Sequence, residues 1–175
     1  MTADPDTADT AKTLLEAGRT DDAAAAAERV LAALPTDKDA LYILAVCRRY
    51  QNRLEEALNT IARLREAEPD FGRAYQEEGH VLRKLGNLEA ATLAYERAVT
   101  FNPGLVASWQ NLATVRKALN DADGATAAAA EAQRLQGLPR ELVSVLSFIH
   151  EGKLLKAEQI CRAFLLNNKQ HVEAM

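Results

Sequence analysis

Arg49, Arg83 and Lys117 stand 34 residues apart, and no other residues in the chain combine type and spacing so suggestively. Cations in register can hold carboxylates through charge-assisted hydrogen bonds. Groups that transform a substrate are harder to find. His80, His150 and His171 lie far apart, and the sequence has no Gly-rich phosphate loop, no His-Glu-x-x-His, no Gly-x-Ser-x-Gly and no cluster with metal-ligand spacing. Cys47 and Cys161 fall in no paired motif and read as small buried hydrophobes rather than disulfide or zinc ligands. The expectation is a stretch that binds and does not catalyse, with no cofactor and no metal.

The same step of 34 governs the elements that must position these cations. Pro35, Pro69 and Pro103 keep it, as do Ala23, Ala57, Ala91 and Ala125, then Gly18, Asn52, Gly86 and Asn120, then Ala40, Ala74 and Ser108. A period this strict means one unit copied in tandem. In the clearest copy, 72–105, an apolar stripe runs through Tyr75, Leu82 and Leu85, and Gly86-Asn87 breaks it. A second stripe follows at Leu88, Ala91, Tyr95, Ala98 and Val99. Steps of three and four fit helices and exclude the alternation of strands. Asn102-Pro103 closes the unit, because proline cannot continue a helix and biases the residue before it away from helical geometry. Each copy is helix, turn, helix, turn. Small residues at the eighth position, Ala45, Gly79 and Ala113, are expected to face Ala57, Ala91 and Ala125 where the two helices cross.

Five copies can be drawn, 4–37, 38–71, 72–105, 106–139 and 140–171, with the start of a sixth at 172–175. The first opens weakly, so residues 1–8 read as disordered and 9–175 as a single array. In the fifth the step shortens: Asn120 to Gly152 and Ala125 to Ala157 are each 32 residues. Leu142, Val143, Leu146 and Ile149 would form one apolar face there, and Leu154, Ala157, Ile160, Cys161 and Phe164 the other. The two missing residues come from the first helix or from its turn, and the packing angle should differ. Ala174 and Met175 align with Ala40 and Leu41, so either this stub caps the array or the protein continues. The reading adopted is a fragment of a longer protein.

Of 175 residues, 48% are hydrophobic and 26% charged, with only 8 glycines and 5 prolines and no Pro/Gly/Ser-rich linker. One elongated domain follows. No run approaches the ~18 apolar residues of a membrane span. The acidic N-terminus lacks the pattern of a secretory signal, and two unpaired cysteines suit a cytoplasmic location. A net charge of -4 without a basic-aromatic platform argues against nucleic acid.

These residues resemble the tetratricopeptide repeat family. Copy 72–105 supplies Tyr75, Gly79, Leu82, Ala91, Tyr95, Ala98 and Pro103 at that family's positions. Copy 106–139 supplies Trp109, Leu112, Ala113, Ala125 and Ala132, and copy 38–71 supplies Leu41, Leu44, Ala45, Ala57, Ile61 and Pro69. The resemblance implies an all-α, right-handed superhelical solenoid of about five antiparallel helix-turn-helix repeats. It also implies a concave groove, lined by the first helix of each copy, that binds a protein or peptide. Groove positions carried over from the family include Tyr42, Arg49, Arg73, Gln76, His80, Arg83, Lys84, Gln110, Asn111, Thr114 and Lys117. The carboxylate-gripping set that some members use for chaperone tails is complete in neither register of this chain.

The first helices of copies two to four carry a net +5 and the second helices -3, so the inner wall is basic. Two readings of the 34-residue ladder stay open. Cations near a helix C-terminus are favoured by the macrodipole wherever they occur, or the ladder serves an acidic or carboxylate-ended peptide. On the second reading, reversing all three charges should weaken binding and leave the melting temperature nearly unchanged. A looser resemblance joins Leu154–Glu158, Ile160–Arg162 and His171–Ala174 to the repeats that precede the catalytic domain in bacterial sulfotransferase fusions. It implies a recognition or dimerisation arm of a larger enzyme, with self-association through the C-terminal repeat.

Overall fold

The computed structural model describes residues 7–168. Ten helices follow one another there: α1 (Ala8–Glu16), α2 (Thr20–Ala33), α3 (Lys38–Tyr50), α4 (Leu54–Ala67), α5 (Gly72–Lys84), α6 (Leu88–Phe101), α7 (Val106–Ala118), α8 (Ala122–Gln136), α9 (Arg140–His150) and α10 (Leu154–Asn167). No strand occurs among the described residues. Thr7 accepts a hydrogen bond from Thr10 N and so caps α1, which begins at Ala8. Those two residues are described with α1, while residues 1–6 and the expected sixth copy lie outside the described residues.

Each hairpin turns the same way. Gly18, Asn52, Gly86, Asn120 and Gly152 have φ between 60° and 78°, the left-handed conformation that glycine adopts freely and asparagine tolerates. The next residue's N–H reaches back to the last turn of the helix: Arg19 to Leu14 O, Arg53 to Arg48 O, Asn87 to Leu82 O, Asp121 to Arg116 O and Lys153 to Phe148 O, at 2.8–3.0 Å. This is the Schellman arrangement, five times over. Between hairpins, Asp37, Phe71 and Leu105 donate N–H to Leu34, Glu68 and Asn102 O, closing four-residue turns with proline second. The aromatic residue that opens the third and fourth copies then locks the turn before it. Tyr75 Oη donates to Pro69 O at 2.8 Å, and Trp109 Nε1 to Pro103 O at 3.0 Å.

Packing follows the repeat through α8. Successive hairpins meet through α2 on α3, α4 on α5 and α6 on α7. The first helices also approach each other, α1 to α3 and α3 to α5, while no two second helices do so comparably. The stack therefore bends toward its first helices, which line the inner wall. Inside each hairpin small residues allow the close crossing: Ala23, Ala57 and Ala91 are fully buried. At Gly79 the crossing is tighter still, and Tyr95 presses on it. The space a Cβ would need is filled by the Tyr95 ring, 2.6 Å away. Leu85, placed in the apolar stripe by its spacing, falls just past α5 and is half exposed. Ion pairs tie neighbours together: Arg48 bonds Glu28, Arg116 bonds Glu96 in the same way two copies on, and Arg65 bonds Glu78.

The fifth hairpin departs. Helix α9 has 11 residues where α3, α5 and α7 have 13, and the turn into α10 keeps the common form, so the missing residues come from the first helix. Helix α9 does not pack on α8 as each earlier first helix packs on the helix before it. Its expected apolar face is consequently not a core: Ile149 and Leu154 are exposed, and Val145, Ser147 and Ala157 are the buried members of α9 and α10.

Candidate functional groove

The wall built by α3, α5 and α7 shows how the candidate residues are used. Arg49, half-buried, donates from Nε to Glu77 Oε2 at 2.6 Å and stacks over the Tyr50 ring at 4.5 Å. Glu77 is one of the few charged residues taken into the interior, with its side chain 5% exposed. Burial raises its carboxyl above the usual carboxylate range, although Arg49 and then Arg73 pull the other way. One rung of the expected ladder is thus a structural partner joining the second copy to the third. Charge reversal at Arg49 would leave Glu77 buried against a like charge, so the expectation of an unchanged melting temperature does not hold for that residue.

Arg83 and Lys117, by contrast, are exposed and have no ion-pair partner among the described residues. Both lie in the last turn of their helices, α5 and α7. Lys84, next to Arg83, reaches the Arg49 carbonyl at 3.3 Å. Deeper in the wall, the Tyr95 hydroxyl lies 2.8 Å from His80 Nδ1, and the Gln76 amide 3.3 Å from His80 Nε2. Burial, then the charges of Arg49 and Arg83, lowers the His80 pKa to about 4. The ring is neutral at pH 7 and serves as a hydrogen-bonding link, not as a cation. Gln110, Asn111 and Thr114 sit on the exposed face of α7. Asn111 bonds Ala107 O and Thr114 bonds Gln110 O, both within that helix.

Tyr42 and Arg73 have a different environment, because the turn of the fifth hairpin lies over them. Arg73 Nε donates to Glu151 Oε1 at 2.5 Å, and Lys153 Nζ reaches Glu151 Oε2 at 3.1 Å. Burial alone would raise the Glu151 carboxyl, but the hydrogen bond and charge of Arg73, joined by Lys153, hold it below the usual range. Tyr42 stands edge-on to Phe71, ring centroids 5.8 Å apart. Between this wall and the hairpin remains a cavity of about 540 Å³, reached by Lys12 of α1, Tyr42, Phe71, Arg73, Phe148 and Lys156. Glu151, Phe148 and Phe71 were not among the sequence-derived site residues. The shortened step into copy five signals that the hairpin bearing Phe148 and Glu151 packs at a different angle, and no sequence signal singles out Phe71.

Cys47 is fully buried, and burial, then the charge of Asp21, pushes its thiol up to about 11, so it carries no thiolate at neutral pH. No group of three or more potential metal ligands converges among the described residues. No helix there is long and apolar enough to cross a membrane.

The tetratricopeptide repeat model matches residues 14–77, and a second model of that description matches residues 72–104. Together they take in just over half of the chain, across the copies whose turns and crossings are described above. The chain is a tetratricopeptide repeat protein. Its all-α, right-handed solenoid is shared by solved structures at low sequence identity. A MamA crystal structure is 22% identical with a TM-score of 0.68, covering 77% of this chain and 81% of its own. Another MamA structure, 19% identical with a TM-score of 0.64, covers 94% of this chain and 91% of its own. PilF of Pseudomonas aeruginosa is 19% identical with a TM-score of 0.69, covering 87% of this chain and 71% of its own. No individually curated protein matches the sequence. As a tetratricopeptide repeat protein, the chain is a module for protein–protein interaction.

Proposed function

We propose that the concave wall of this repeat array holds an acidic segment of a partner protein, gripped along one edge by Arg83, Lys84 and Lys117. The observation that carries this reading is the contrast within the ladder. Arg49 is consumed by Glu77, whereas Arg83 and Lys117 are exposed and carry no ion pair among the described residues, Arg83 lying beside the Tyr95 hydroxyl. Tyr42, Arg49, Arg73, Gln76 and His80 shape the wall, and Gln110, Asn111 and Thr114 extend it along α7. Helix-terminal capping accounts for a cation in each last turn, but not for two adjacent ones. The role is binding without catalysis, in the cytoplasm, with no nucleic acid and no membrane as partner.

Co-purification of partners from the native cell tests this. The Arg83→Glu/Lys84→Glu/Lys117→Glu protein should lose an acidic partner that the unaltered chain retains at low salt. Retention of the same partner by both would overturn the reading.

A second reading makes the array a recognition or dimerisation arm of a larger enzyme, such as a sulfotransferase. It draws on exposed leucine pairs at the two ends of α10, Leu154 with Leu155 and Leu165 with Leu166, large apolar side chains that a partner surface would cover. Light scattering on the chain decides whether it associates with itself, and Leu155→Glu/Leu166→Glu should abolish that association.

A further inference from the structure

The fifth hairpin occupies the groove instead of extending the stack. Val145 and Ser147 of α9 are buried. Ser147 Oγ donates to Asn102 Oδ1 at 3.3 Å in the turn before α7. Gly104 leaves no room between that turn and α9, since a Cβ on it would lie 3.0 Å from Ser147 N. One residue beyond Ser147, Phe148 borders the cavity beside Tyr42 and Phe71, and Glu151 closes on Arg73. The wall residues under this turn, Lys12, Tyr42 and Arg73, stand at the family's groove positions.

The place the hairpin vacates is also visible. Ala125 is half-buried where its counterparts Ala23, Ala57 and Ala91 are fully buried. With Ala113, Ala122 and Ala129 it lines a cavity of about 400 Å³ on the open face of α7 and α8. The hairpin thus has two surfaces it can rest on, one in the groove and one at the end of the stack. Gly137 and Pro139, in the three-residue link between them, are exposed.

We propose that the seat of α9 is a ligand site of the groove, that α9 is its built-in occupant, and that an amphipathic helix of a partner protein displaces it. This rests on the reading of the array as a protein-binding groove. The partner helix must carry a small residue where Ser147 abuts Gly104, an aromatic residue next to it, and a carboxylate four positions after the small residue to meet Arg73. Residues three and four apart share a helix face, so such a helix would present the small residue and the acid together. A hairpin tethered by a short link competes at an effective concentration near millimolar, so the seat is closed to weak ligands until the hairpin leaves.

The test uses a fluorescent synthetic peptide of residues 139–153 and the full chain. Ser147→Trp with Glu151→Lys, both on the hairpin, should free the seat, and the peptide should bind this protein at least ten-fold more tightly than the unaltered chain. Arg73→Glu added to that background should remove the gain, and a peptide carrying Glu151→Arg should recover it. The single Glu151→Lys protein, with circular dichroism confirming its helices, guards against misfolding by the tryptophan. Equal affinities in folded released and unaltered chains would overturn the proposal, as would a released chain indifferent to Arg73→Glu. A concentration-dependent dimer that only the unaltered chain forms would also overturn it, because the occupant would then be a second copy's hairpin. Failure here leaves the cation-edge experiment unaffected, since the peptide's seat rests on Arg73 and Gly104, and Arg83, Lys84 and Lys117 make no hydrogen bond or ion pair to α9.

Discussion

Gly79 and Tyr95 share one space: the ring of Tyr95, fully buried on α6, stands where a side chain at residue 79 on α5 would have to be, 2.6 Å from its Cβ. The second hairpin solves the same crossing with Ala45 beside Ile61 and Ala57. The fourth has Ala113 facing a cavity lined by Ala125 and Ala129. Gly79→Ala should therefore destabilise the chain by about 1–3 kcal/mol, because the ring sits in a filled core and must shift. In a Tyr95→Leu background the cost of the same change should shrink, which urea denaturation of the four proteins measures.

Ala91 is fully buried at the crossing of α5 and α6 and belongs to a cluster that reaches Leu112 and Val115 of α7. Ala91→Leu should cost about 1–3 kcal/mol and loosen the next hairpin as well. Hydrogen exchange should show the loss of protection extending into α7.

The pair of Arg49 with Glu77 separates the ladder into unequal rungs. Arg49→Glu should destabilise by about 3 kcal/mol, since it abandons a buried carboxylate. Arg83→Glu or Lys117→Glu should cost no more than about 1 kcal/mol, the scale of an exposed last-turn charge on the helix dipole. Thermal melts of the three single variants make the comparison.

His80 sets a pH dependence whose sign is determined. Its pKa falls to about 4 in the folded protein, below the ~6.5 of an unperturbed histidine. The unfolded chain binds the extra proton first, so His80 contributes full stability above pH 6.5 and loses it as pH falls toward 4. The loss over that window is on the order of 1–3 kcal/mol. His80→Gln should flatten the slope between pH 6.5 and 5, as read from urea midpoints.

Much of the fold could be read without coordinates because its determinants are local. A glycine or asparagine every 34 residues marks a left-handed turn wherever it occurs, since the constraint acts on one residue's backbone. The spacing of Leu88, Ala91, Tyr95, Ala98 and Val99 places one face of α6 inward by helical period alone. The candidate groove was legible to the extent that helix position predicts which side chains face inward. Whether a cation there is free depends on what approaches it, and spacing carries no information about that.

Period, hairpin order and turn chemistry were thus determined by the sequence itself, because neighbours along the chain enforce them. The tertiary structure alone decided that Glu77 takes Arg49 across 28 residues and Glu151 takes Arg73 across 78. Both pairs depend on the angle between hairpins. That angle accumulates from copy to copy, and at the fifth the loss of two helical residues and the Gly137-Leu138-Pro139 link redirect α9 into the groove. Non-local contacts of this kind arise only when the whole stack is assembled, so no single repeat contains the instruction for them.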